Sequence, residues 1–147
     1  MTEAVVDIEF PMELSNELLD SILVTAFDGD VGGSNYWLAG AEVSIDRKDT
    51  GGPYSYTRWV AVDIKYTDSG SEEPEDEDDE LHEFRLDAEA IARGLRTVIK
   101  RKREDGKPSD RAKHVLEALV TNDGGMIDAD DADLIVQYAV FGKAVFG

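Results

Sequence analysis

The chain has 147 residues, with 33 Asp or Glu against 15 Lys or Arg, a formal net charge of −18 and no cysteine. One domain of this size buries roughly 68–70% of its unfolded surface and needs no staples. The missing cysteine excludes a disulfide framework and any thiolate metal site. A mostly anionic surface would be repelled by nucleic-acid phosphates, which argues against direct nucleic-acid binding, while acidity by itself also serves solubility.

The first thirty residues show no basic region leading into an apolar core and a small-residue cleavage site. No apolar run approaches the ~20 residues that span a bilayer. The expectation is a cytoplasmic protein with no membrane partner.

In chain order, Glu3 to Phe10 alternates Val6, Ile8 and Phe10 as a first strand, closed by Pro11. Ser15 is a fitting N-cap for a helix with Leu18, Leu19, Ile22, Leu23, Ala26 and Phe27 at helical spacing. The glycine-rich stretch from Asp28 to Ser34 ends it. A strand is predicted over Tyr36 to Ile45, with Ala41, Val43 and Ile45 on one face. After a turn at Asp49 to Pro53, Tyr54 to Tyr66 is the clearest strand, Val60, Val62, Ile64 and Tyr66 alternating with Ala61, Asp63 and Lys65.

Thr67 to Glu80 then carries nine carboxylates and no cation, and reads as a mobile hairpin connection. His82, Phe84 and Leu86 form a returning strand. Asp87 caps a helix with an apolar stripe of Ile91, Leu95, Val98 and Ile99, broken by Gly106, Lys107 and Pro108. Ser109 or Asp110 caps the next helix, which presents Val115, Leu116, Leu119 and Val120. In the last helix Asp128 is the N-cap, Asp131 stands at N3, and Ala132, Ile135, Val136, Ala139 and Val140 form the buried side. Gly142 suits the left-handed position after its end, and Lys143 to Phe146 either adds a short strand or docks on the core. The fold class expected is α+β, a single domain with a small, mostly antiparallel sheet and about four helices.

Charge is segregated along this chain. Arg93 to Lys113 holds nine Lys or Arg against Glu104, Asp105 and Asp110, a net of +6, so the remainder carries −24. Such separation steers partners and rejects like-charged ones.

Three patches have a family look: Ile22 to Phe27 running into Gly32-Gly33-Ser34-Asn35-Tyr36-Trp37, then Ile91-Ala92-Arg93-Gly94-Leu95, and finally Asp128 to Gly142. Together they resemble a set of small uncharacterised proteins encoded by bacteriophages and prophages, especially those of actinobacteria. About a third of the chain is covered, in the same order. The acidic and basic stretches lie outside it. The resemblance implies a phage accessory role in the host cytoplasm and carries no mechanism.

The most site-like patch is Gly32, Gly33, Asn35, Tyr36 and Trp37. Paired glycines let backbone amides approach a ligand, Asn35 offers donor and acceptor, and the aromatics offer flat faces. It is neither a Walker loop nor a Rossmann turn, because no Gly-Lys-Ser/Thr follows and the order is helix then strand. The competing reading is a helix C-cap and turn with Trp37 in the core. Asp128, Asp130, Asp131 and Asp133 lack the ligand order of an EF-hand, as do Asp28 and Asp30, and capping accounts for Asp128 and Asp131. Neither a metal nor another cofactor is implied.

With His82 and His114 the only histidines, no nucleophile–histidine set stands out, and no catalytic residue is assigned. Lys100, Arg101, Lys102 and Arg103 could meet phosphates or an acidic loop, although at ~100° per residue they cannot share one helix face. The partner-binding candidates are these four and Glu72, Glu73, Glu75, Asp76, Glu77, Asp78 and Asp79.

The leading expectation is a non-catalytic phage-type accessory protein that modulates a host macromolecule, foremost a host protein. An anti-defence inhibitor or acidic nucleic-acid mimic is its special case. The alternatives are a nucleotide-like ligand binder at Gly32 to Trp37 and, last, a metal-dependent hydrolase or nuclease. A homodimer is compatible with all three.

Overall fold

The computed structural model describes residues 12–48, 51–53 and 56–147. The strand expected at Glu3 to Phe10 lies outside the described residues. The remainder is α+β: helices α1 (Asn16–Phe27), α2 (Ala88–Ile99), α3 (Asp110–Thr121) and α4 (Ala129–Phe141), with strands β1 (Gly40–Lys48), β2 (Tyr56–Thr67) and β3 (Leu81–Leu86). The strands form one antiparallel sheet in the order β1-β2-β3. No helix among the described residues is long and apolar enough to cross a membrane.

Each helix begins on the residue its sequence favours. Ser15, Asp87 and Ser109 accept from the backbone N–H groups of Leu18, Ala90 and Ala112, satisfying donors that have no partner inside the helix. At α4 the cap is reciprocal, since Asp128 accepts from the Asp131 N–H and the Asp131 carboxylate accepts from that of Asp128. Gly142 ends α4 at φ 71°, a left-handed conformation that costs glycine little.

The core lies between the helices and one face of the sheet. Leu18, Ile22 and Leu23 of α1, Val62 and Ile64 of β2, Leu86 of β3, Ile91 and Val98 of α2, and Ile135 and Val136 of α4 are almost wholly buried. On the opposite face Arg85 pairs with Asp63 at 2.8 Å and Lys65 with Glu83 at 3.6 Å, so polar partners line the exposed side.

Three expectations are corrected. Tyr36 and Trp37 belong to a one-turn 3₁₀ helix (Asn35–Trp37), and the strand starts only at Gly40. Ile45 is 52% exposed, on the edge strand just past the point where the pairing of β1 with β2 shifts, between Ser44 and Ile45. The extra residue is Val60 of β2, and such an irregularity disrupts the ladder and bends the strands locally. On α3, Leu116 and Val120 are exposed, since this peripheral helix packs through Ala112, Val115 and Ala118.

Close helix contact depends on Gly94. A Cβ there would overlap the Ile135 carbonyl oxygen and stand 3.1 Å from the Ala139 Cβ, so α2 reaches α4 only because that atom is missing. Alanine is the better helix former by about 1 kcal/mol, yet overpacking costs about 1–3 kcal/mol, and here it meets backbone. Gly94→Ala is therefore expected to lower unfolding free energy by about 1–3 kcal/mol in urea titration. Gly40→Ala, with no atom near the added Cβ, is the control and should not lose stability.

Candidate functional site

The Gly32–Trp37 turn is built by α1 and held by α4. Gly33 and Ser34 donate their N–H groups to the Thr25 and Ala26 carbonyls at 3.0 and 2.9 Å, extending the hydrogen bonding of α1 past its end. Added Cβ atoms would collide with the Ala26 oxygen and the Asn35 amide at Gly32, and with the Ala129 carbonyl at Gly33. Both glycines are thus filled by the protein's own chain. Asn35 spends its amide on the carbonyls of Phe27, at 3.2 Å, and Gly29.

Trp37 is 1% exposed and stacks on Phe146 with ring centres 5.2 Å apart and planes at 16°. Of the candidate ligand residues, Tyr36 alone presents its ring broadly to solvent, at 55% exposure. Trp37 in the core and a turn closing α1 therefore describe the geometry of this patch.

Asp133 organises it. Its Oδ1 accepts from the Ser34 hydroxyl at 2.9 Å and the Trp37 indole N–H at 2.8 Å. Its Oδ2 accepts from the Tyr36 hydroxyl at 2.7 Å and the Gln137 amide at 3.0 Å. Four donors fill the roughly four acceptor sites of a carboxylate. Buried Gln137 also accepts from the Val145 and Phe146 N–H groups at 2.7 and 2.8 Å, which docks the C-terminal residues on α4. Beside Tyr36 opens a cleft of about 400 Å³, whose polar rim includes Arg101, Arg111 and Asp130.

The acidic connection between β2 and β3 has a defined internal frame. Asp79 turns inward: its carboxylate accepts from the Ser69 N–H at 2.9 Å, the Ser69 hydroxyl at 2.5 Å and the Glu75 N–H at 2.9 Å. These bonds, the Ser69 hydroxyl first, hold its pKa below the usual carboxylate value. Thr67 Oγ1 accepts from the Ser71 N–H and donates to the Ser71 carbonyl, both at 2.9 Å. Glu72, Glu73, Glu75, Asp76, Glu77 and Asp78 remain exposed.

The basic stretch leaves α2 and folds back on itself. Lys102 bridges Pro108, and the Arg103 N–H donates to the Lys107 carbonyl at 2.7 Å. Residues 100 to 108 are exposed. Arg101 lies over the Tyr138 ring at 5.6 Å, and Arg103 pairs with Asp105. The four consecutive cations are therefore on a turned loop, with Lys100 at the helix end.

Both histidines have polar neighbours. His114 donates from Nε2 to the Met126 carbonyl at 2.6 Å and lies 3.2 Å from Asp131, which Arg111 also pairs at 2.5 Å. Burial pushes the Asp131 carboxyl above its usual pKa, opposed by the hydrogen bond from the Asp128 N–H and by the Arg111 guanidinium. His82 lies with its Nε2 2.7 Å from Asp68, and Glu80 completes a group of three. The signal for this group was the hairpin register, because pairing Tyr66 with His82 sets residues 68 and 80 opposite each other. No family model, curated protein or solved structure matches this chain.

Burial of the Tyr36 hydroxyl end, followed by its hydrogen bond to Asp133, raises its pKa from 10.0 to about 12. Between these values the folded chain keeps a proton that the unfolded chain has lost, so this group makes the fold less stable as pH rises through that window. Absorbance titration at high pH should show a tyrosine step near 12. Tyr36→Phe is expected to remove the step, and Asp133→Asn to move it toward the ordinary value.

Proposed function

We propose that this chain is a non-catalytic binding module that engages a macromolecular partner through charge, with the acidic hairpin as the recognised face. The observation that carries this reading is the inward turn of Asp79. Crowded carboxylates repel and would spread in a free loop. One carboxylate instead serves as the acceptor that ties Ser69 and Glu75 together, and six are left displayed outward. A display ordered before contact loses less conformational freedom on binding than a flexible one.

The fitting partner is a protein with a basic groove, including one that ordinarily holds nucleic acid. The resemblance to phage and prophage proteins supports an accessory role directed at such a host component. Neutralising Glu72, Glu73, Glu75, Asp76, Glu77 and Asp78 to their amides, with Asp79 kept, tests the reading. The wild-type chain should retain a basic protein from bacterial lysate at physiological salt and release it to competing duplex DNA. The neutralised variant should retain none. Equal retention by both forms, or none by the wild type, overturns the proposal.

A second reading, binding of a small nucleotide-like ligand, is supported by the cleft beside Tyr36, whose volume of about 400 Å³ is within the range of ligand pockets. Arg101 and Arg111 would meet the anionic part and Tyr36 the ring. A nucleotide at 100 times its dissociation constant should stabilise the fold by about 2.7 kcal/mol, visible as a thermal shift that Arg101→Ala removes.

A further inference from the structure

We infer that Asp68, Glu80 and His82 form a binding site for a divalent first-row transition ion at the base of the acidic hairpin. Among the described residues they are the one such group, their ligand atoms all lying within 4.8 Å of one another. The site follows from the sheet. Val62, Ile64 and Tyr66 point to the core side of β2, so position 68 continues on that side just past the strand. Across the ladder Phe84 pairs with Ile64 and His82 with Tyr66, which puts His82 and then Glu80 on the same side. The alternation that builds the core thus ends in three ligand-type side chains.

Two of these groups are held in place by contacts outside the Nε2···Oδ1 hydrogen bond, whose proton a metal ion would replace. The His82 ring stacks on Tyr66, with centres 5.2 Å apart and planes at 28°, so Nε2 stays aimed at Asp68. Asp68 Oδ2 accepts the Glu80 N–H at 3.0 Å, and its Oδ1 faces the imidazole at 2.7 Å. Such outer contacts are what orient metal ligands. The Asp68 N–H in turn donates to the Glu80 carbonyl at 3.1 Å, fixing the two residues opposite each other.

The charges supply a separate argument. Like charges directly opposite on paired strands are unfavourable, and Asp68 and Glu80 stand so at the mouth of a connection rich in further carboxylates. A cation between them removes that repulsion, and the surrounding field concentrates cations there. One imidazole with two carboxylates suits Zn²⁺, Co²⁺ or Mn²⁺, whereas Mg²⁺ and Ca²⁺ prefer oxygen ligands alone. This inference does not rest on the macromolecular reading above.

The test is calorimetric titration of the full chain with Zn²⁺ and Co²⁺ at physiological salt. One saturable site is expected, weakened roughly tenfold or more in His82→Ala and in Asp68→Asn, with Mg²⁺ and Ca²⁺ failing to compete. Both side chains are substantially exposed, so the variants should fold. In nitrogen-detected NMR, Zn²⁺ should shift the His82 imidazole and leave His114 unmoved. Absence of a saturable site, equal affinity in His82→Ala, or equal competition by Mg²⁺ overturns the proposal, the last by showing a diffuse ion atmosphere.

Discussion

The Asp133 carboxylate is the constraint on which the arrangement of this molecule depends. It accepts from Ser34, Tyr36, Trp37 and Gln137, so one side chain on α4 fixes the turn that leads α1 into β1. Gln137, one helical turn further on, is buried and docks the C-terminal residues by accepting two backbone N–H groups. Charge-assisted hydrogen bonds contribute about 1.5–3 kcal/mol each, but the larger consequence is negative. Without the carboxylate, the buried indole N–H and Ser34 hydroxyl would lose their acceptor. The same saturation leaves Asp133, though beside a cleft, with no acceptor site open to a ligand.

Around that helix the turn after α1 and the middle of α2 converge. Gly33 lets the turn lie against Ala129, and Gly94 lets α2 lie against Ile135 and Ala139. Stretches separated by tens of residues are therefore parts of one packing unit, whose bare glycines set how near the backbones come. Phe146 stacks on Trp37 and borders Gly70, so the C-terminal residues also connect this unit to the acidic hairpin. The two charged stretches are mounted on this packing unit.

Sequence reading succeeds where structure is decided locally. The caps at Ser15, Asp87, Ser109 and Asp128 and the left-handed Gly142 each depend on residues within a turn or so, and their helices were legible from spacing alone. It fails where a distant partner decides. Tyr36 and Trp37 look like the start of a strand, yet a carboxylate nearly a hundred positions away holds them in a 3₁₀ turn. Leu116 and Val120 satisfy a helical period, but nothing in the period says that α3 is peripheral and packs through Val115 and two alanines. In the acidic stretch, composition suggests only solvation, because the inward role of Asp79 requires knowing that the hairpin brings Ser69 and Glu75 to it.

On the binding role proposed above, the charged hairpin differs from an ordinary solubilising segment in where its repulsion is borne. In a flexible acidic tail the charges move apart, and a partner must gather them against that repulsion. Here the backbone bonds around Asp79 and the pairing at Asp68 and Glu80 hold them together in the free protein. The cost falls on the stability of the fold, and a cationic surface that meets the hairpin relieves repulsion as well as gaining attraction. Salt acts on both sides of that balance: screening stabilises the free hairpin while weakening its attraction for a partner. Under that proposal, a display of this kind favours a partner whose own charges are fixed in a groove, since only matched spacing recovers what the ordered carboxylates have given up.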